Sequence, residues 1–371
     1  MGLSILHTAD LHLGMKFGSY QDMKEKLAAA RFETLGGLIE IANETKCDLL
    51  VVAGDLFDRV TIAKRDVQKC LDILKGFEGQ ALAVLPGNHD YISGDSELWH
   101  YFKEHASDRV VLLDECREYD LAHYGMKCVL HAGPCNAKHS GENAIDWIGE
   151  SSRASDQRIH IGVAHGNVAG YGPDMEGEYF PMDRRELLSL GLDLWLLGHV
   201  HVPAPKEPSS DERVYYAGTP EPDGFDCRHE GSAWLITIAE DKQIEASLLR
   251  PGRYRFAHEQ ADLRDEAAYE ELLVRFADEV YKRTLLKLKL TGQLPREAFE
   301  RLSDLRAAIE PQLAYVSIED HEVSIELTAD DINQEFTEGS FPHQLLGALS
   351  NEAEDGEALQ LAYELIGKAR Q

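Results

Sequence analysis

Seven short, nearly unbroken apolar runs dominate the first two hundred residues: Leu3-Ser4-Ile5-Leu6, Leu49 to Val52, Ala81 to Leu85, Val110 to Leu112, Cys128 to Leu130, Ile159 to Val163 and Leu194 to Leu197. Apolar runs of this length that do not alternate with polar residues mark strands covered on both faces, so the chain is expected to be α/β. Between the first two runs, Met23 to Asn43 carries Leu27, Phe32, Leu35, Leu38 and Ile39 at helical spacing, the pattern of a covering helix. Val214 to Gly218 and Ala233 to Ile238 read as later strands that close a second sheet.

The pattern changes at Arg250-Pro251-Gly252-Arg253. Beyond it come helix-like segments at about 265–281, 296–309 and 357–368, with alternating strands among them. Leu286 to Leu290 alternates apolar and basic residues as a half-exposed strand does, and Tyr315 to Leu327 reads as a hairpin. At 371 residues the chain exceeds what one core usually serves, so two domains are expected, 1–252 and 253–371.

Thirty-seven basic against 66 acidic residues leave a net charge of −29, a field that repels polyanions unless metals or basic groups gather locally. The N-terminus has no basic flank and its apolar run breaks at His7, which argues against a signal peptide or a membrane anchor. Leu6 stands where a myristoylation signal needs Ser or Thr. The six cysteines, Cys47, Cys70, Cys116, Cys128, Cys135 and Cys227, show no C-x-x-C spacing, so they read as ordinary core residues of a cytoplasmic protein.

Five polar clusters stand at the C-terminal ends of expected strands, where open α/β sheets place their ligands. They are Asp10-Leu11-His12, Gly54-Asp55-Leu56-Phe57-Asp58, Gly87-Asn88-His89-Asp90, His165, and Gly198-His199-Val200-His201. Asp10 with His12, and His199 with His201, are two residues apart, so in extended backbone each pair points to one side. Asp10, His12, Asp55, Asn88, His165, His199 and His201 make seven donors, more than one ion uses and enough for two that share a carboxylate. Asp55 is the expected bridge. Two divalent cations would supply the positive field that the protein lacks.

These clusters, in this order, resemble the motif set of the calcineurin-like metallophosphoesterases: D-x-H, G-D-x-x-D, G-N-H-D, a lone His, and G-H-x-H. His7 to Gly14, Gly54 to Asp58 and Tyr216-Ala217-Gly218-Thr219-Pro220 are most similar to the SbcD and Mre11 DNA repair nucleases, in particular the YhaO-like branch. The resemblance covers roughly the first 240 residues, and the tail follows that branch only in outline. It implies a four-layer sandwich of two mixed sheets flanked by helices, with a smaller α+β C-terminal domain that caps the site or engages a partner. It also implies that Asp10, His12 and His201 hold one metal, Asn88, His165 and His199 the other, and Asp55 both. His89 would then give a proton to the leaving oxygen, with Asp90 holding its imidazole. Asp58, where some relatives carry histidine, would orient a ligand histidine.

The expected activity is a two-metal phosphodiesterase on DNA, a 3′-to-5′ exonuclease with endonuclease action on single strands. Manganese is preferred, since the donors mix carboxylate, amide and imidazole without thiolate, and Mg, Fe or Zn are admitted. The expected partners are DNA and, on the resemblance, a Rad50- or SbcC-like coiled-coil ATPase; a homodimer is admitted and a membrane is not. Two rivals stay open. One is a phosphodiesterase or phosphatase for small nucleotides, favoured by the charge; the other is a non-catalytic metal-stabilised scaffold. The remaining histidines, Lys287 and Lys289, and the acidic stretches Asp211-Glu212-Arg213 and Asn351 to Asp355 read as surface or core residues without chemistry.

Overall fold

The structure is a computed structural model, and it describes residues 2–20, 22–94, 96–149, 157–172, 177–350 and 356–370. The chain divides into two compact units, Met1–Phe256 and Ala257–Gln371.

The first unit opens with β1 (Leu3–Thr8), α1 (Lys24–Glu44), β2 (Leu49–Ala53), α2 (Lys64–Leu74), β3 (Ala81–Leu85), α3 (Glu97–His105) and β4 (Val110–Leu112). It continues with β5 (Glu118–Asp120), β6 (Cys128–Gly133), β7 (Ile159–His165), α4 (Arg184–Ser189), β8 (Leu194–Gly198) and β9 (Val214–Tyr216), and returns through β10 (Ala233–Ile238) and β11 (Ile244–Leu249). One sheet has the order β11-β10-β1-β2-β3-β4, the other β5-β6-β7-β8-β9. β1 to β4 run parallel and β10 pairs antiparallel with β1, Ile5 opposite Ile236. β6 to β9 are also parallel. β5 pairs antiparallel with β6, so both sheets are mixed.

Why these runs are apolar throughout is clear from their surroundings. Ile5, Val51, Ala83, Leu130, Val163 and Leu196 meet in a core between the two sheets. On the other face of the first sheet, Leu6, Val52 and Val84 pack under Leu35 and Leu38 of α1, Leu71 of α2 and Trp99 of α3. Trp195, Leu197 and Tyr216 of the second sheet are covered by Leu187 of α4 and by Ile145 and Ile148. Helices, sheet, sheet and helix form four layers. Ala233–Ile238 does not close the second sheet as its sequence suggested. It lies beside β1, where Trp234 can bury its ring and donate its indole N–H to the Tyr216 carbonyl at 2.8 Å.

A third sheet has the order β12-β13-β14, formed by Arg255–Asp262, whose first two residues belong to the first unit and the rest to the second, and by Thr284–Leu294 and Tyr315–Ile325. The helices of the second unit are α5 (Glu266–Phe276), α6 (Arg296–Glu300), α7 (Leu302–Ile309), α8 (Ala329–Glu335), α9 (Phe341–Ser350) and α10 (Gly356–Arg370). Tyr315–Ile325 is one continuous strand, not a hairpin: it runs parallel to β13, and a register shift between Lys289 and Thr291 absorbs the polar stretch Glu319 to Glu322. Lys289 pairs there with Glu322 at 2.6 Å.

Glu212 is more than a solvated loop residue, since it pairs with Arg184 at 2.9 Å. Residues 351–355 lie outside the described residues. All six cysteines are free, five of them buried and Cys116 exposed. No helix among the described residues is long and apolar enough to cross a membrane.

Candidate metal centre

Parallel neighbours end side by side, so the loops leaving β1, β2, β3, β7 and β8 meet at one edge of the two sheets. There the backbone is bent hard. Asp10 (φ 54°), His12 (φ 45°), Asp55 (φ 51°) and His199 (φ 95°) all lie in the left-handed region that non-glycine residues avoid. Each such residue costs on the order of 1–3 kcal/mol and persists only where its surroundings over-determine it, which is why these conformations cluster at functional sites. The surroundings are visible: the Asp10 amide donates to the Gly54 carbonyl at 3.1 Å and the His12 amide to the Asp55 carbonyl at 2.9 Å.

Two glycines make the approach possible. A Cβ on Gly54 (φ 95°) would stand 2.0 Å from His165 Nδ1, and one on Gly87 would stand 2.2 Å from Asp55 Oδ1. Neither place has room for a side chain.

All seven expected donors converge. His12 Nε2 faces His201 Nε2 at 3.2 Å. Asn88 Oδ1 lies 3.0 Å from His165 Nε2 and 3.2 Å from His199 Nδ1. Asp55 Oδ2 stands between the groups, 3.8 Å from His12 Nε2 and 3.3 Å from His165 Nε2. Asp10 Oδ1 is 3.8 Å from His201 Nε2. Asp10, His12 and His201 present ligand atoms within 4.8 Å of one another, as do Asp10, Asp55 and His165, and His12, Asp55 and His89.

The imidazoles are aimed from behind, as metal-binding histidines usually are. His165 Nδ1 donates to the Ala53 carbonyl at 2.9 Å, which leaves Nε2 as the atom turned to the other donors. His201 Nδ1 donates to Asp223 Oδ2 at 2.9 Å, with the same effect. The ring of Tyr179 stacks on His199, centroids 4.9 Å apart.

Buried charge makes the site need a cation. Burial by itself would raise the Asp55 carboxyl, but the charge and hydrogen bond of His165 outweigh it and hold Asp55 well below the carboxylate range. Although burial disfavours its cation, the Asp55 carboxylate lifts the His165 imidazole to about 9. Burial pushes Asp10 up to about 6 against the opposing charges of His201 and His165. Imidazolium thus serves as countercharge to buried carboxylate, a part that a divalent cation fills with the same donors. The donor set and the space it encloses fit divalent metal.

The residues beside this set are arranged differently from expectation. His89 is not held by Asp90. Asp90 spends its carboxylate on the amides of Gly87 (2.7 Å) and Phe57 (2.9 Å), bracing the two loops. His89 Nδ1 instead meets the backbone carbonyl of Asp58 at 3.0 Å, and the Asp58 carboxylate pairs with Arg59. Asp58 therefore orients a histidine through its main chain, and that histidine is His89 and not one of the expected ligands. The reason lies in the hydrogen bonds: Asp90 is turned inward at 0% exposure, and its two carboxylate oxygens are taken by the Gly87 and Phe57 amides.

Sequence reasoning missed three contributors. Asp223 follows the stretch Glu221-Pro222, and its only signal is a carboxylate in a Pro/Gly turn after a strand. Arg31, 1% exposed on α1, donates to the Leu11 carbonyl at 2.6 Å, between the two bent residues Asp10 and His12. Thr219 places its hydroxyl 2.9 Å from the Asp10 carbonyl.

Known proteins are similar to this chain. The chain is similar to the uncharacterized metallophosphoesterase YhaO of Bacillus subtilis, 28% identical over 214 residues, which are 54% of this chain and 48% of that protein. It is also similar to the DNA double-strand break repair protein Mre11 of Methanopyrus kandleri, 25% identical over 240 residues, 59% of this chain and 49% of that one. The matches thus span about half the length of these curated relatives. Among solved structures, the calcineurin-like phosphoesterase YfkN of Bacillus subtilis superposes with a TM-score of 0.42 at 15% identity, covering 67% of this chain and 91% of that one. The family profile described as calcineurin-like phosphoesterase matches residues 3–203, more than half of the chain and every one of the converging donors, and the chain belongs to that family of metallophosphoesterases.

Proposed function

We propose that this protein is a two-metal phosphodiesterase that hydrolyses DNA, as a 3′-to-5′ exonuclease with endonuclease action on single strands. The observation that carries the reading is the position of Asp55 Oδ2, within 3.8 Å of His12 on one side and 3.3 Å of His165 on the other, where a bridging carboxylate belongs. Asp10, His12 and His201 would hold one ion and Asn88, His165 and His199 the second, with Asp55 common to both and manganese the preferred metal. When bound, such a pair neutralises phosphate oxygens and supplies hydroxide at neutral pH.

The protein's own part is orientation and proton delivery. Asp55 Oδ1 accepts the His89 amide at 2.8 Å, so the same carboxylate fixes both the donor set and the loop of His89. With Nδ1 spent on the Asp58 carbonyl, His89 keeps only Nε2 for exchange, and as imidazolium it can protonate the departing sugar oxygen, a step worth roughly 10²- to 10⁴-fold. Support for DNA comes from the relatives named for double-strand break repair. A coiled-coil ATPase partner belongs to the same proposal.

The experiment is gel analysis of end-labelled single- and double-stranded DNA with Mn²⁺, Mg²⁺ and Zn²⁺, together with His89→Ala. The variant should retain two metals by elemental analysis and lose at least about a hundredfold in kcat. Undiminished turnover would remove His89 from the chemistry, and loss of a metal would make it a ligand. The net charge of −29 favours a second reading, a small-nucleotide diesterase. Turnover of a chromogenic diester with DNA left intact, with and without an ATPase partner, would establish that one instead.

A further inference from the structure

A cleft of about 390 Å³ opens beside the metal centre, lined by Met15 to Tyr20, Asp58, Arg59 and Asp223. Its walls include the two groups that aim the site's histidines, since the Asp58 carbonyl meets His89 and the Asp223 carboxylate meets His201. The volume is at the lower end of the roughly 300–1,000 Å³ typical of small-ligand sites, room for one nucleotide unit and not for a duplex.

Its charges are unequally committed. Both carboxylates are spoken for, Asp223 by His201 and Asp58 by Nε and Nη2 of Arg59. The cations keep donors to spare, even though Arg59 is paired with Asp58. Arg59 Nη1 and the ammonium of Lys16 have no acceptor among the described residues, and both side chains reach solvent. In a chain with 66 acidic and 37 basic residues, the unpaired Lys16 ammonium beside the one spare edge of the Asp58-paired Arg59 gives this cleft donors for an anion. On the same wall the Tyr20 ring is backed by Phe225 at 6.2 Å and Phe256 at 5.8 Å, a supported aromatic surface of the kind on which bases stack.

We propose that this cleft seats the nucleotide next to the cleaved bond, Lys16 and Arg59 taking its far phosphate and Tyr20 its base. The preferred substrate class is then a nucleotide diester that carries a second phosphate, whether in a polynucleotide or in a phosphate-ended dinucleotide. This rests on the phosphodiesterase reading above.

The test compares kcat/KM, with Mn²⁺, for a deoxydinucleotide bearing a terminal phosphate and for the same dinucleotide without it. Wild type should prefer the first by roughly tenfold, the effect of a charge-assisted hydrogen bond. Lys16→Ala and Arg59→Ala should each pull that ratio toward one, and Arg59→Lys should restore part of it. A residue that merely props Asp58 would lower both substrates together and leave the ratio intact, which overturns the proposal, as does a ratio of one in wild type. An oligonucleotide arm separates the two sources: a polymer substrate loses as much in the variants as the phosphate-ended dinucleotide, and an oligonucleotide that is never cleaved assigns the cleft to short nucleotides. Anisotropy of a fluorescent deoxynucleoside monophosphate in the presence of chelator reads the cleft without turnover. Weaker binding in both variants with no diester cleaved would overturn the phosphodiesterase and keep the cleft; cleavage with unchanged binding and ratio would do the reverse.

Discussion

Asp223 offers a sharp test of the centre, because it touches no expected ligand atom and acts through one hydrogen bond. Its carboxylate accepts His201 Nδ1–H at 2.9 Å and is 20% exposed on the side chain. Burial opposes its ionisation, but the bond and charge of His201 hold it well below the ordinary carboxylate range, so it is an anion at neutral pH. In Asp223→Ala the His201 ring loses the partner that keeps its proton on Nδ1, and Nε2 becomes a weaker and less well aimed donor. Losing a group that orients a metal-bound histidine costs about 10- to 100-fold in metal affinity. That is about 1.4–2.7 kcal/mol, close to the roughly 1.5–3 kcal/mol of a charge-assisted hydrogen bond. Partial exposure places the expected value toward the lower end. Titration of metal-free protein with Mn²⁺ by calorimetry should show one site weakened about tenfold and the other within twofold of wild type. Asp223→Asn, which keeps an acceptor oxygen but no charge, should fall between. Equal affinity in wild type and Asp223→Ala would refute the argument that this bond sets the ligand tautomer, and equal weakening of both sites would refute the separate holding of two ions.

Two further outcomes concern stability in chelator. His7 is fully buried between the sheets, and burial pushes its imidazole down to about 3 even though the Leu197 carbonyl favours the cation. A histidine lowered in the folded state takes up its proton more readily unfolded, so its contribution is present above about pH 6.5 and is lost as pH falls toward 3, about 5 kcal/mol over the whole window. Urea unfolding across that range should show the decline, and His7→Leu should flatten it; an unchanged slope in the variant would sink this account. Arg31→Met removes the donor to the Leu11 carbonyl and the buried charge beside Asp223 and Glu221, and should cost roughly 2–3 kcal/mol in urea unfolding. A variant as stable as wild type would show that desolvating the guanidinium cancels its bonds.

The alternation of apolar runs and polar clusters is enough to read the strands and their covering helices, and to single out seven polar residues that the structure brings together, because each of these is written locally. A strand buried on both faces must be apolar throughout, and a donor two residues from another in extended backbone must share its side. The structure does bring Asp10 and His12, and His199 and His201, to the same edge, but not by that logic: Asp10 (φ 54°), His12 (φ 45°) and His199 (φ 95°) are left-handed and not extended, so loop contacts aim them. Where the local pattern is ambiguous, tertiary context decides. Ala233–Ile238 carries no mark that tells which sheet it joins, and the polar middle of Tyr315–Ile325 looks like a turn until a parallel neighbour supplies its hydrogen bonds.

What the chain could not disclose by itself is which groups stand behind the donors. Asp223 lies 22 residues beyond the histidine it orients, Arg31 is 20 residues from the carbonyl it holds, and the Asp58 main chain does what a neighbouring side chain was expected to do. Such partners are chosen by proximity after folding, and any buried polar group will serve if its geometry is right. Residue type and spacing mark the candidate ligands because coordination chemistry accepts few side chains. Tertiary packing decides their supports, because a hydrogen bond accepts many.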